Sequence, residues 1–131
     1  VKRLALVLLA MLGAAAHAQA GDGLSGTYRP AGDGNAAFPA DAELVVRAEG
    51  HGWLAMFRGE GLALLPVDRL EQAGLFPDVD PQARLQCAYS RAFLLCRVSP
   101  GTEFPQQNFR STTGYFTALS DERIFEMRRI D

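Results

Sequence analysis

The chain has 131 residues, 48% of them hydrophobic, with 13 basic and 15 acidic side chains and a formal net charge of −2. That is enough chain for one core and too little for several domains. Its slight acidity argues against a nucleic-acid binder, which needs a basic face to neutralise phosphates.

Residues 1–20 read as a secretory signal peptide. Lys2 and Arg3 give a positive start, residues 4–12 (LALVLLAML) are unbroken apolar, and residues 13–20 are rich in small residues. Cleavage after Ala18 or Ala20 fits the A-x-A pattern. The apolar run is shorter than the roughly 20 residues that span a bilayer, so no transmembrane segment is expected in the mature chain. The address implied is periplasmic or secreted, and the abundant Ala, Gly and Arg suit a bacterial source. Residues 21–131 are expected to form a single disulfide-bonded β-domain. Lys2 is the chain's lysine, so every cation of that domain is an arginine, and no polybasic segment offers itself to anionic lipid.

In chain order, residues 24–29 (LSGTYR) read as a first strand, with Thr27 and Tyr28 as β-formers. Residues 30–40 form a loop rich in Gly, Pro, Asp and Asn. Residues 42–48 and 53–58 are strands around a glycine turn that holds His51. Gly59, Glu60 and Gly61 make a second turn before the strand 62–67, whose Pro66 marks an end or an edge. Residues 68–73 (DRLEQA) form one short helix: Asp68 caps its N-terminus, Glu71 stands three residues on, and Gly74 is placed to stop it. Residues 75–82 and 99–112 read as loops. Residues 113–119 and 123–130 close the chain as a hairpin.

The stretch 85–98 (LQCAYSRAFLLCRV) carries both cysteines and reads as a hairpin closed by a disulfide. If Cys87 faces Cys96, Tyr89 faces Leu94, and Arg91 and Ala92 form the tip. Directly opposed residues suit a disulfide best in the closer, non-hydrogen-bonded kind of pair. An exported protein favours the bridge over two free thiols. The sum is mostly β: about eight short strands in a small antiparallel β-barrel or sandwich, with the helix 68–73 lying across it.

Catalytic motifs are absent. No G-x-S-x-G occurs. His51 sits in a glycine turn, without a clear partner for base catalysis. One histidine within residues 21–131 and two bonded cysteines make a zinc site an unfavoured reading. Asp78 and Asp80 could face a hard cation, but their spacing matches no calcium loop and a solvated turn explains them. No cofactor motif is present, and the protein is expected not to be an enzyme. Recognition remains. The segment Phe104, Gln106, Gln107, Asn108, Phe109 and Arg110 mixes residue types enriched at binding hot spots, although both phenylalanines can instead tuck under the loop as core. A barrel mouth near Tyr28, Trp53 and Tyr89 is a second candidate surface.

Leu24, Ser25, Gly26, Thr27 and Tyr28 resemble the first strand of lipocalin-like barrels, where a glycine precedes an aromatic by two; Tyr28 stands where that family usually has Trp. The likeness covers five residues. Small exported disulfide-bonded β-domains include periplasmic inhibitors, immunity proteins and envelope-binding modules. The expectation is therefore a non-enzymatic domain that binds a protein or cell-envelope partner. The alternative is a lipocalin-like carrier of a small apolar ligand.

Overall fold

Runs of β-forming residues with a two-residue period, broken by Gly, Pro and Asp, fold into ten strands among the described residues. The computed structural model describes residues 22–34, 38–121 and 123–131. The expected signal peptide lies outside these residues. The strands are β1 (Gly26–Pro30), β2 (Leu44–Glu49), β3 (Gly52–Phe57), β4 (Glu60–Pro66), β5 (Gln86–Tyr89), β6 (Phe93–Arg97), β7 (Thr102–Phe104), β8 (Phe109–Ser111), β9 (Tyr115–Leu119) and β10 (Ile124–Arg129). Eight of them close an antiparallel barrel in the order β1-β10-β9-β6-β5-β4-β3-β2, while β7 and β8 form a separate two-stranded sheet. The architecture is thus a barrel and not a sandwich.

Strand parity decides what is inside. Tyr28, Leu44, Val46, Trp53, Ala55, Leu64, Ala88, Phe93, Leu95 and Met127 are buried in one cluster, and the register sets them on inward positions: Tyr28 opposite Leu44, Val46 opposite Ala55, Trp53 opposite Leu64, Ala88 opposite Leu95. An eight-stranded barrel is just wide enough for side chains to fill. Phe38, from the loop after β1, packs on Phe57 with ring centroids 4.8 Å apart. Leu24 is buried in the same cluster, where its carbonyl accepts the Tyr28 hydroxyl at 2.6 Å. The strand that resembles a lipocalin opening is therefore the first of a closed barrel, with Tyr28 pointing inward.

A second core lies outside the barrel. Cys87, Cys96 and Phe116 occupy outward positions of β5, β6 and β9, and they are buried beneath Val67, Phe76, Ala83, Val98 and Phe104. The covering pieces are Val67 and Phe76, which flank the helix α1 (Arg69–Leu75), the 3-10 turn Pro81–Ala83 and the β7–β8 hairpin; α1 itself buries no side chain. Cys87 and Cys96 are direct partners in the β5–β6 ladder and form the disulfide, with Cα atoms 4.2 Å apart. Tyr89 faces Leu94, as the sequence predicts.

Three local expectations shift. The helix begins one residue after Asp68, whose carboxylate accepts the Glu71 N–H at 2.8 Å, and it runs through Gly74 to Leu75, where the Phe76 N–H donates to Gln72 O at 2.9 Å and closes the last turn. The β3–β4 turn consists of Arg58 and Gly59, with φ of 52° and 79°, so Glu60 already belongs to β4. Both residues left-handed is the tight hairpin turn that matches strand twist. The stretch 99–112 is not a plain loop: Thr102, Glu103 and Phe104 pair with Ser111, Arg110 and Phe109.

Candidate functional site

The end of the barrel at Trp53 is closed by the segment before β1. Asp22 Oδ1 accepts from Trp53 Nε1 at 2.5 Å and from the main-chain N–H of Leu24 at 3.0 Å and Ser25 at 3.2 Å, while Ser25 Oγ donates to Asp22 Oδ2. Partial burial opposes ionisation of Asp22, but these four hydrogen bonds together hold its carboxyl below its ordinary value. Gly26 lets Arg129 lie across β1, since a Cβ there would come 2.6 Å from Arg129 Nε. Tyr28 meets Tyr115 edge-on at 5.3 Å. Burial, and then Tyr115 nearby, push the Tyr28 hydroxyl well above its usual pKa.

Of the residues expected to line a barrel mouth, Tyr28 and Trp53 face inward and are buried. Tyr89 does not join them. Its neighbour Ala88 takes the inward position, so Tyr89 stands on the outer wall, 41% exposed. Tyr28, Leu44, Ala55, Ala88, Leu95 and Met127 are 0% exposed, so no water-sized space touches them. The interior is filled by its own side chains.

The segment 104–110 divides. Phe104 is fully buried and its ring lies 5.0 Å from Phe116 and 5.2 Å from Phe76, so it serves the outer core and is not presented to a partner. Phe109 is half-buried and packs 5.3 Å from Phe116. Asn108 adopts the left-handed backbone, φ 49°, that turns the chain from the 3-10 turn Pro105–Gln107 into β8. Arg110 pairs with Glu103 at 3.7 Å across the exposed hairpin. Gln106 and Gln107 remain, and they do reach a concave surface.

That surface is a groove of about 730 Å³ on the outer wall, within the range of about 300–1,000 Å³ typical of ligand sites. Its floor is Tyr89, Leu94, Ala118 and Ile124, a single row across β5, β6, β9 and β10. Leu75 and Phe76 form one wall with Gln106 and Gln107, and Gln107 Nε2 donates to Leu75 O at 3.4 Å. The β5–β6 tip, with Ser90, Arg91 and Ala92, forms the rim. Arg91 is exposed and has no ion-pair partner among the described residues. Sequence reading singles out Gln106 and Gln107 in the loop, assigns Tyr89 to the barrel mouth instead of this groove, and does not single out Leu75, Leu94 or Ile124. The usable signal is that β5, β6 and β9 are apolar at both parities, which means that both of their faces are covered or used.

Among the described residues, no group of three or more His, Cys, Asp or Glu side chains is placed to hold a metal ion. Asp80 accepts from the Gln82 N–H at 2.9 Å, a turn-capping role, and His51 is exposed in its turn. No helix among those residues is long and apolar enough to cross a membrane. The fold and the groove define the class: a small up-and-down antiparallel barrel with an outer flank. Comparison with known proteins takes this no further, since no protein-family model, curated protein or solved structure matches the chain.

Proposed function

We propose that this is an exported β-domain, periplasmic or secreted, that acts by binding a protein partner and not by catalysis. The observation that carries the reading is the outer groove. Tyr89, Leu94, Ile124 and Leu75 give it an apolar floor and wall, and Gln106, Gln107, Ser90 and Ser120 supply hydrogen-bonding groups around them. Apolar surface edged by a few polar groups is the usual make-up of a recognition site. The disulfide and the phenylalanine cluster beneath hold that surface in place, as loops on rigid scaffolds require. The alternative of an apolar ligand inside the barrel has less support, because interior side chains occupy the space.

The test is site-specific photocrosslinking in the host periplasm. A photoreactive phenylalanine analogue replaces Tyr89, and a control carries it at His51 in the β2–β3 turn. We expect a discrete protein adduct from position 89 that is missing from position 51. Equal labelling at both positions, or none at 89, overturns the reading.

A further inference from the structure

The barrel is closed, but the β4–β5 junction is not zipped along its length. It has two residue pairs, Leu65 with Tyr89 and Pro66 with Ala88, where β3–β4 has five and β2–β3 has six. Strand alternation shows which groups are left over. The Val67 N–H donates to Cys87 O, so β4 residues of that parity direct their main-chain groups towards β5. Leu65 shares the parity and meets Tyr89. Ala63 and Gly61 share it too, and would next meet Arg91 and Phe93.

They do not, because β5 stops at Tyr89. Ser90 folds the tip on itself: its N–H donates to Phe93 O at 2.9 Å, and its Oγ accepts from Ala92 N at 3.0 Å and Phe93 N at 3.1 Å. The N–H and C=O of both Gly61 and Ala63 are left facing an unfilled strand position, with no partner among the described residues. The other end of the same junction is handled differently. Gln72 of α1 stands in for a strand there, accepting from Cys87 N at 2.8 Å and donating to Leu85 O at 3.0 Å. One end of the seam is stapled by a side chain and the other is open.

The open edge has few of the usual defences against pairing. Proline, lysine and bulges blunt exposed edges, whereas here Gly61 and Ala63 are small and exposed, with Glu60 the single charge between the turn and Pro66. We infer that the β4 edge at Gly61 and Ala63 takes up an extended segment of the partner polypeptide as an added strand. Four main-chain groups at strand spacing are matched by another extended backbone. Such a segment would run beside the Ser90–Ala92 tip, whose residues also line the groove, so one partner chain can use both surfaces. Its residues opposite Gly61 and Ala63 face outward, and the one opposite Leu62 turns towards the barrel rim. The inference rests on the partner-binding reading above.

The probe is a phage-displayed library of linear peptides, followed by synthesis of the selected sequences. Bound peptide should slow amide exchange at Gly61 and Ala63, which exchange fast in the free protein. Ala63→Pro should weaken binding about tenfold while leaving thermal stability close to wild type, since proline at that edge removes an N–H that the barrel does not use. N-methylation of alternate peptide residues should weaken binding by a similar factor, and it keeps the test decisive if Ala63→Pro does not fold. Peptides that are lost on Ile124→Glu but indifferent to Ala63→Pro and to N-methylation overturn the edge and leave the groove reading standing. A library that yields no binder overturns both. Free protein whose Gly61 and Ala63 amides are already protected, as a monomer or as a dimer with a second copy, overturns the inference.

Discussion

The two cores are built on opposite principles. The barrel interior draws one or two side chains from each of eight strands, and its contacts join the ends of the chain: Tyr28 of β1 stands beside Arg129 of β10. The flank is assembled from short neighbouring pieces, namely α1, the turn after it, the cysteine hairpin and β7–β8. Its aromatic contacts centre on Phe116, whose ring has Phe76, Phe104 and Phe109 as neighbours. The barrel is held by ladder closure and the flank by a phenylalanine cluster over a disulfide. Closure around a ring is all-or-none, whereas a cover of short pieces can open alone.

Deleting a ring from the flank should separate the two most. Phe116→Ala is expected to cost about 3–5 kcal/mol. Amide exchange should show α1 and β7–β8 opening while β2 and β3 stay protected. Met127→Ala, inside the barrel, should cost about 2–5 kcal/mol and raise exchange in both regions together. Matching exchange patterns for the two variants would mean that the cores are one cooperative unit.

Removing the disulfide comes next. Cys87→Ala with Cys96→Ala opens a short loop, for which the chain-entropy model gives roughly 2–3 kcal/mol at most. The loss should appear in denaturant unfolding as a lower midpoint, with flank amides affected first. Both cysteines are almost completely buried, so the folded protein should resist mild thiol reductants far longer than the same protein in denaturant. Equal reduction rates would contradict the cover described above.

The smallest effect concerns pH and belongs to the barrel. Tyr28→Phe leaves the buried Leu24 carbonyl without its hydroxyl donor, a loss of about 1–3 kcal/mol. Because the folded Tyr28 has a raised pKa, its contribution is complete below the usual tyrosine value of about 10 and is lost as pH rises beyond it. The variant should therefore lose less stability than wild type in alkali. Asp22 works with the opposite sign. Its folded pKa is depressed, so its contribution is present above the usual aspartate value of about 3.9 and fades as pH falls below that. Melting curves of Asp22→Asn and wild type should converge in acid, and a gap that persists there would deny the lowered pKa.

The eight barrel strands are legible in the sequence because each carries a local mark. Leu44 and Val46 alternate with Glu43, Val45 and Arg47, and glycine turns separate the hairpins. The pairing of Cys87 with Cys96 follows from their spacing around Ser90 and Arg91. The flank is harder to read. Strands β7 and β8 are three residues each, too short for a period to show, and proline and amides between them look like loop. Phe104 illustrates the cost: beside Gln106 and Gln107 its ring suggests a contact residue, yet the register with Phe109 turns it into the second core. Tyr89 is misplaced when an aromatic in a strand is assigned to the interior without counting parity from Ala88. The groove itself joins residues from α1, the tip and four strands, and no linear pattern announces that meeting.

Trp53 is the chain's one tryptophan, and its indole sits at the plugged end of the barrel against Asp22. The aromatic rings of the flank core are all phenylalanine. Intrinsic tryptophan emission is consequently a reporter for one half of the molecule. It should follow displacement of the Asp22 plug and collapse of the ladder, while detachment of α1 and the β7–β8 hairpin passes without a change in colour. A fluorescence melt and a far-ultraviolet dichroism melt of the same sample should part company whenever the flank loosens first.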